Sequence, residues 1–103
     1  MALKDDDLSI LERKYAMYVL LAISEHPMTR KTDIMRLQQQ NERTKFERIN
    51  ELIDAGLIEC TVPEGYKRDR MILTEEGEEL VKSIKKIRTI LRRVQKKDFD
   101  PES

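Results

Sequence analysis

The sequence contains few of the residues from which most enzyme sites are built. Its 103 residues include one cysteine, one histidine and no tryptophan. A single cysteine excludes an intrachain disulfide and a zinc site of the cysteine-cluster type. No glycine-rich phosphate loop is present, and acidic residues recur three or four positions from lysine or arginine, as they do on solvated helix faces. We therefore predict that the protein is not an enzyme and uses no metal and no cofactor.

The cysteine and the histidine each have a simple structural interpretation. Cys60 follows Leu57 and Ile58 in an apolar segment, which favours a small apolar residue in a strand. An interchain disulfide or a redox-sensing thiol is the alternative. His26 directly precedes Pro27, a position typical of a residue that caps the C-terminal end of a helix rather than of a ligand.

Long apolar runs are also missing. No segment approaches the roughly 20 consecutive apolar residues that a membrane span requires, and the N-terminal residues do not resemble a signal peptide. This predicts a soluble, cytoplasmic protein without a membrane partner. Apolar and charged residues each make up 39% of the chain. We expect a single domain, residues 1–103, that gains extra packing surface from a second copy of itself.

An excess of charge of one sign is absent as well, but the charges are unevenly distributed. Twenty basic residues balance twenty acidic ones. Residues 82–97 carry eight lysines or arginines and no acid, whereas residues 1–26 carry five acids and three bases. Zero net charge argues against a nucleic-acid partner, and the clustering of basic residues argues for one. The distribution of charge therefore matters more than its sum.

Residues 41–58 are the most informative segment. Phe46, Ile49, Leu52 and Ile53 recur at helical spacing, which predicts an amphipathic helix that buries this stripe. Gly56 follows, and glycine ends helices because it takes the left-handed conformation without a Cβ clash. The outer face of this helix is predicted to carry Arg43, Thr44, Lys45, Glu47, Arg48 and Glu51.

A first helix is predicted over residues 8–26. Its apolar residues lie on more than one face, so it should be buried on more than one face. We expect its C-terminal half to fill the core and its N-terminal half to meet a second subunit. The alternative is that all of it packs within one chain. Pro27 then ends the helix.

Residues 27–73 predict a helix-turn-helix followed by a hairpin. Thr29 is suited to the N-cap of a short helix over residues 30–37, and the residues around Thr29 also suit a single strand rung. The hairpin is indicated by two short apolar segments on either side of a glycine that supplies positive φ. Its strands are residues 57–62 and 70–73, and Gly65 lies in the loop between them.

The final helix is predicted over residues 74–97, with Thr74 as its N-cap. At 1.5 Å per residue it would be about 34 Å long, longer than the core of one small domain covers. Its apolar residues step four, three, four and three, a seam that predicts a dimer. An antiparallel pairing is favoured, because it sets the acidic start of one helix beside the basic residues 82–97 of the other. The predicted seam consists of Leu80, Ile84, Ile87, Leu91 and Val94. Residues 98–103 are predicted to form a tail after the helix.

The order of these elements resembles a known family. The chain resembles the winged helix-turn-helix of the multiple-antibiotic-resistance regulators in three successive features. These are a helix ended by Gly56 and followed by Leu57, a basic hairpin, and then Leu73, Thr74 and Gly77. They are closer still to small archaeal winged-helix DNA-binding proteins that dimerise through a long C-terminal helix. The resemblance implies a mainly α fold with a small β-hairpin (α+β). It also implies a homodimeric transcriptional regulator that binds double-stranded DNA.

The resemblance assigns roles to the basic residues. The start of a recognition helix meets base edges in the major groove, and wing cations lie along phosphates. Glu47 would accept from cytosine or brace the neighbouring arginines. The implied recognition residues are Arg43, Thr44, Lys45, Glu47 and Arg48, the wing residues are Tyr66, Lys67, Arg68 and Arg70, and the DNA backbone contacts are Arg30, Lys31 and Arg36. The implied dimer contacts are Leu8, Leu11 and Tyr15, together with the seam of the final helix.

Two alternatives stay open. Zero net charge favours a winged-helix module that binds another protein instead of a specific DNA sequence. The second alternative is a regulator that binds a small-molecule effector between the first helix and the dimer helix. Tyr15, Met17 and Tyr18 would line that pocket, although these residues also suit a plain core.

Overall fold

A computed structural model describes the backbone of residues 6–37 and 40–98 and the side chains of residues 8–37 and 40–95. Within these residues the chain forms five helices and a two-stranded antiparallel sheet. The elements are α1 Asp6–Glu12, α2 Ala16–Glu25, α3 Lys31–Met35, α4 Glu42–Asp54, β1 Ile58–Thr61, β2 Arg70–Leu73 and α5 Glu75–Asp98. This order confirms the predicted winged-helix fold. The predicted tail lies outside the described residues, apart from Asp98, which ends α5.

Helix α2 lies at the centre of the core. Its Val19, Leu20 and Ile23 are buried, and α2 packs against α4, α5 and β2. Burying one such aliphatic side chain contributes about 1.5–3 kcal/mol, so this cluster holds the helices around the hairpin. Among the described residues, none of the helices is both long and apolar enough to span a bilayer. The other buried members of the cluster are Ala22, Ile34, Ile49, Leu52, Ile58, Met71, Val81 and Ile84.

The segment predicted as one first helix is divided into α1 and α2. Residues 13–15 leave the helical conformation, and Tyr15 has a φ of 71°. The break frees the carbonyl oxygen of Lys14, which accepts a hydrogen bond from Arg48 Nε at 2.8 Å. The prediction of a continuous helix is wrong here, because periodicity does not reveal a distant donor that stabilises a break.

The start of α3 also differs from the prediction. Thr29 forms the expected single strand rung, paired with Met71, but it is not the N-cap. Arg30 takes that position, and the Asp33 carboxylate accepts from the backbone N–H of Arg30 at 3.4 Å. The Arg30 side chain also donates to Asp33 and holds the pKa of that carboxyl below its usual value. The rung to Met71 removes Thr29 from the capping position, because its backbone is committed to the sheet.

The end of α4 confirms the role predicted for Gly56. Its φ is +84°, its N–H donates to Ile53 O at 3.0 Å, and the N–H of Leu57 donates to Leu52 O at 3.0 Å. These two bonds form a Schellman motif, which satisfies carbonyl groups that the last helical turn leaves unpaired. The chain therefore turns sharply from α4 into β1.

The start of α5 is joined directly to the end of α4. Thr74 is the predicted N-cap, since its hydroxyl accepts from the N–H of Gly77 at 3.0 Å, and it donates to Gly56 O at 2.7 Å. The N–H of Thr74 donates to Leu57 O at 3.1 Å. A Cβ on Gly77 would lie 2.1 Å from that same oxygen, so only glycine permits this approach. The two motifs that carried the family resemblance thus form one joint between α4 and α5.

The hairpin matches its prediction closely. Ile58 pairs with Leu73 and Thr61 with Arg70, in an antiparallel register that leaves residues 62–69 as the connecting loop. Gly65 has a φ of +87°, as expected for this loop. The hairpin is the wing, and its first strand begins four residues after the last residue of α4.

Candidate nucleic-acid interface

Lys45 of α4 is buried, contrary to the prediction that it faces outward. Its exposed fraction is 0%, and its ammonium group donates to the carbonyl oxygen of Leu37. The Nζ atom also lies 5.4 Å from the Tyr15 ring centroid and 5.5 Å from that of Tyr18. A buried cation needs such partners to offset its lost hydration. Lys45 therefore anchors α4 to the rest of the domain and is not available to a base.

Arg48 is the second predicted recognition residue that turns inward. It is 5% exposed, and its Nη1 atom donates to Glu51 Oε1 at 2.8 Å in addition to the bond to the Lys14 carbonyl. Arg13 approaches the same carboxylate at 3.2 Å. Two nitrogens of the guanidinium, Nε and Nη1, are thus bonded within the chain. The prediction that Arg48 faces outward is wrong, and its contact with DNA stays a prediction.

Phe46 occupies the surface in their place. It is 40% exposed, whereas the stripe predicted from the sequence had placed it in the core. Lys31 Nζ lies 5.6 Å from its ring centroid and donates to Asn50 Oδ1 at 3.0 Å. Asn50 was not predicted as a site residue, and the signal for it was its position one helical turn after Phe46. The inward face of α4 is therefore rotated toward Lys45 and Arg48.

Arg43 and Glu47 are exposed on α4, as the sequence predicted. The Arg43 side chain is 93% exposed, and its Nε atom lies 3.8 Å from Glu47 Oε2. This contact corresponds to the bracing role considered for Glu47. Thr44 is half-buried. A surface ion pair of this kind contributes little to stability, so Arg43 can exchange Glu47 for another anion at small cost.

The cations of α3 have different surroundings. Arg36 is exposed, and Arg30 is exposed but paired with Asp33 at 3.3 Å. Lys31 is half-buried against α4, because it contacts Phe46 and Asn50. Lys31 is therefore a predicted backbone contact that lies directly beside α4.

The wing exposes three of its four predicted residues. Tyr66, Lys67 and Arg68 are exposed, but Arg70 is half-buried. Arg70 Nη1 donates to Met28 O at 3.3 Å, and its guanidinium lies 4.9 Å from the Tyr66 ring centroid. Arg70 therefore fixes the base of the wing to the segment between α2 and α3, and its predicted phosphate contact stays a prediction.

The predicted dimer residues divide into two groups. Ile84 is buried in the core of its own chain, and Leu80 is half-buried against it, because α2 and the hairpin cover the first half of α5. Tyr15 is half-buried, and its hydroxyl accepts from Asn41 Nδ2, so it supports α4 instead of standing free. Leu11 is half-buried as well. The predicted dimer residues that stay at least half exposed are Leu8, Ile87, Leu91 and Val94, and Ile90 on the same helix α5 is 45% exposed.

Two further predictions concern Cys60 and an effector. Cys60 is half-buried in β1, and burial raises the pKa of its thiol, with the charge of Lys31 acting in the opposite direction. Its interpretation as a small strand residue fits this position. Tyr18 lines a cavity of about 310 Å³ between α2 and α5, together with Glu25, His26 and Arg88. The effector hypothesis stays a prediction.

Three solved structures share this arrangement of elements. A complex of Staphylococcus aureus MepR with DNA has a TM-score of 0.72 and 20% identity over 95% of this chain and 73% of that one. S. aureus MarR in complex with salicylate and kanamycin has a TM-score of 0.72 and 22% identity over 89% and 65% of the two chains. A MarR family transcriptional regulator from Silicibacter pomeroyi has a TM-score of 0.73 and 15% identity over 95% and 67%.

The sequence matches no protein-family model and no curated protein. The likeness is thus one of three-dimensional structure, and it extends over nearly the whole chain although the matched proteins are longer. The chain has the winged-helix fold of the MarR regulators.

Proposed function

We propose that the chain is a homodimeric transcriptional regulator that binds specific sites in double-stranded DNA. The observation that carries the proposal is the exposed outer face of α4. Cations of α3, the element before α4 in the chain, lie on one side of it, and the wing, the element after α4, carries further exposed cations. This is the arrangement that places a helix in the major groove and a wing beside it. The DNA complex of MepR, which has the same fold, supports the comparison.

Arg43 is the residue best placed to read a base. It lies in the first turn of α4, and its guanidinium is in solvent. Arginine donates two hydrogen bonds to guanine O6 and N7, which discriminates by about 1–3 kcal/mol against the wrong base. Exposed Arg36, Lys67 and Arg68 would neutralise phosphates and fix the orientation of the helix.

The exposed apolar residues of α5 support a dimer. Ile87, Ile90, Leu91 and Val94 are 45–53% exposed and recur at steps of three, one and three, so they form one stripe beyond the core. A second copy that covers this stripe would remove it from water and duplicate α4. Two-fold symmetry then predicts a palindromic site with half-sites about 34 Å apart, or a multiple of that distance. An antiparallel pairing of α5 stays our prediction.

A salt titration tests the proposal. Of the cations predicted to contact DNA, four per protomer are exposed and have no acidic partner in the described structure or only a long one, namely Arg36, Arg43, Lys67 and Arg68. At about 0.9 per phosphate contact, two protomers give a slope of log K against log salt of about −7 at most. We expect a slope between about −3 and that limit, measured with a duplex selected from a random pool. A slope near zero would refute the proposal.

The alternative, a module that binds another protein, is favoured by one specific observation. Two of the cations predicted on the recognition surface are buried, and the exposed face of α4 carries Glu42, Phe46 and Glu47 instead. Such a mixture of an apolar ring and acids also suits a protein partner. Failure to retain any duplex from the random pool at low salt would favour this alternative.

A further inference from the structure

Phe46 is a large apolar side chain that the proposed DNA contacts leave without a role. It is 40% exposed, although Ile49 and Leu52 of the same helix are completely buried. The core is therefore closed beneath it by other residues, and Phe46 is not part of that packing. Arg43, whose side chain is 93% exposed, precedes Phe46 by one helical turn, so the two share the face of α4 that would enter the major groove.

Lys31 gives the surroundings of Phe46 a specific character. Its ammonium group lies 5.6 Å from the ring centroid, and its hydrogen bond to Asn50 at 3.0 Å holds it in that place. An apolar ring and a fixed positive charge thus lie side by side, one contributed by α4 and the other by α3. A ligand that matches this pair carries an apolar group close to a negative charge.

We propose that Phe46 reads the C5-methyl group of a thymine in the major groove. Thymine is the one standard DNA base with a methyl group there, and phenylalanine is among the apolar side chains that contact it. Lys31 would lie near a phosphate of the backbone, a contact that positions the protein without reading sequence. The inference rests on the proposed DNA binding and adds a base preference to it.

Replacement of thymine by uracil tests this directly, because uracil lacks only the methyl group. Starting from a selected duplex, each thymine is replaced singly and then in both half-sites, and the Kd is measured at one fixed salt concentration. Loss of one buried methyl group corresponds to about a fourfold weaker Kd. We expect this change at one thymine in each half-site and about a fifteenfold change when both are replaced.

Two variants connect the effect to Phe46. Phe46→Ala should bind the thymine and uracil duplexes equally, whereas Phe46→Leu, which keeps an apolar side chain, should retain part of the difference. Arg43→Ala is the matched control on the same face, and it should weaken binding to both duplexes by the same factor. Since Phe46 is exposed, circular dichroism and thermal unfolding should show that both Phe46 variants fold as the wild type does.

The results separate this inference from the function on which it rests. Salt-dependent duplex binding that is insensitive to uracil at every position would overturn the role of Phe46 and leave DNA binding intact. That role is equally overturned if Phe46→Ala still distinguishes the two duplexes. If the protein retains no duplex at any salt concentration, both proposals fail.

Discussion

Replacement of Arg48 by alanine should destabilise the fold, although the sequence pattern placed this residue on the DNA surface. The Arg48 side chain is 7% exposed and makes two hydrogen bonds at 2.8 Å, to the Lys14 carbonyl and to Glu51. A hydrogen bond from a charged group contributes about 1.5–3 kcal/mol. The Glu51 contact is discounted, since that carboxylate is 35% exposed and keeps Arg13 at 3.2 Å. The expected loss in free energy of unfolding is about 2–4 kcal/mol.

Thermal unfolding followed by circular dichroism measures this loss. For a domain of this size, each kcal/mol lowers Tm by about 4–8 °C, so the variant should melt about 8–32 °C below the wild type. Both proteins must be compared at one protomer concentration, because the proposed dimerisation would link stability to concentration.

Arg43→Ala is the matched control for Arg48. Its side chain is 93% exposed and its one ion pair is 3.8 Å long, so its free energy of unfolding should change by less than about 0.5 kcal/mol. The control should instead weaken binding to a selected duplex. If Arg48→Ala has the same Tm as the wild type and loses only sequence-specific DNA binding, the assignment of Arg48 to the core is refuted.

Three further predictions concern the α4–α5 joint, the dimer seam and Cys60. Gly77→Ala should lower stability by about 1–3 kcal/mol in urea unfolding, because a Cβ would lie 2.1 Å from Leu57 O; a gain, as expected for alanine in an unhindered helix, would contradict the joint. Leu91→Glu should give monomers in sedimentation while the helix content is kept, since Leu91 is 53% exposed in one chain; a dimeric variant would place the interface elsewhere. Burial raises the pKa of the Cys60 thiol, so the folded protein favours the neutral thiol over the thiolate. Its reaction rate with a thiol reagent should reach half its maximum above pH 9.0, and urea-unfolded protein should react faster at pH 8.

The two helix ends that meet at the α4–α5 joint were predicted correctly, whereas the N-cap of α3 was not. Gly56 ends α4 and Thr74 begins α5 as expected, because a left-handed C′ residue and a hydroxyl N-cap act within a few residues of their own position. The seam of α5 was also recognised, but periodicity did not separate Ile84, which its own chain buries, from Leu91, which it leaves exposed. That division depends on where α2 and the hairpin end.

The candidate site was predicted less well, and the errors concern long side chains. Lysine and arginine carry apolar stems and charged ends, so they suit either a solvated face or a buried one whose carbonyl oxygens can receive the charge. The prediction for residues 41–58 placed all of these long side chains on the outer face of the helix. It therefore placed Phe46 in the core and Lys45 and Arg48 in solvent, whereas the structure exposes Phe46 and buries the other two. The error had one cause, a rotation of the helix about its axis.

Most of the elements, their order and the ends of α4 and α5 can be derived from residues that lie close together in the chain, because caps and turns act over a few positions. The face that α4 presents to solvent depends instead on long-range packing. The acceptors for Lys45 and Arg48 are the carbonyl oxygens of Leu37 and Lys14, one after the short helix α3 and the other in the break between α1 and α2. These acceptors come within reach only when distant segments have packed together, so no local pattern reveals them.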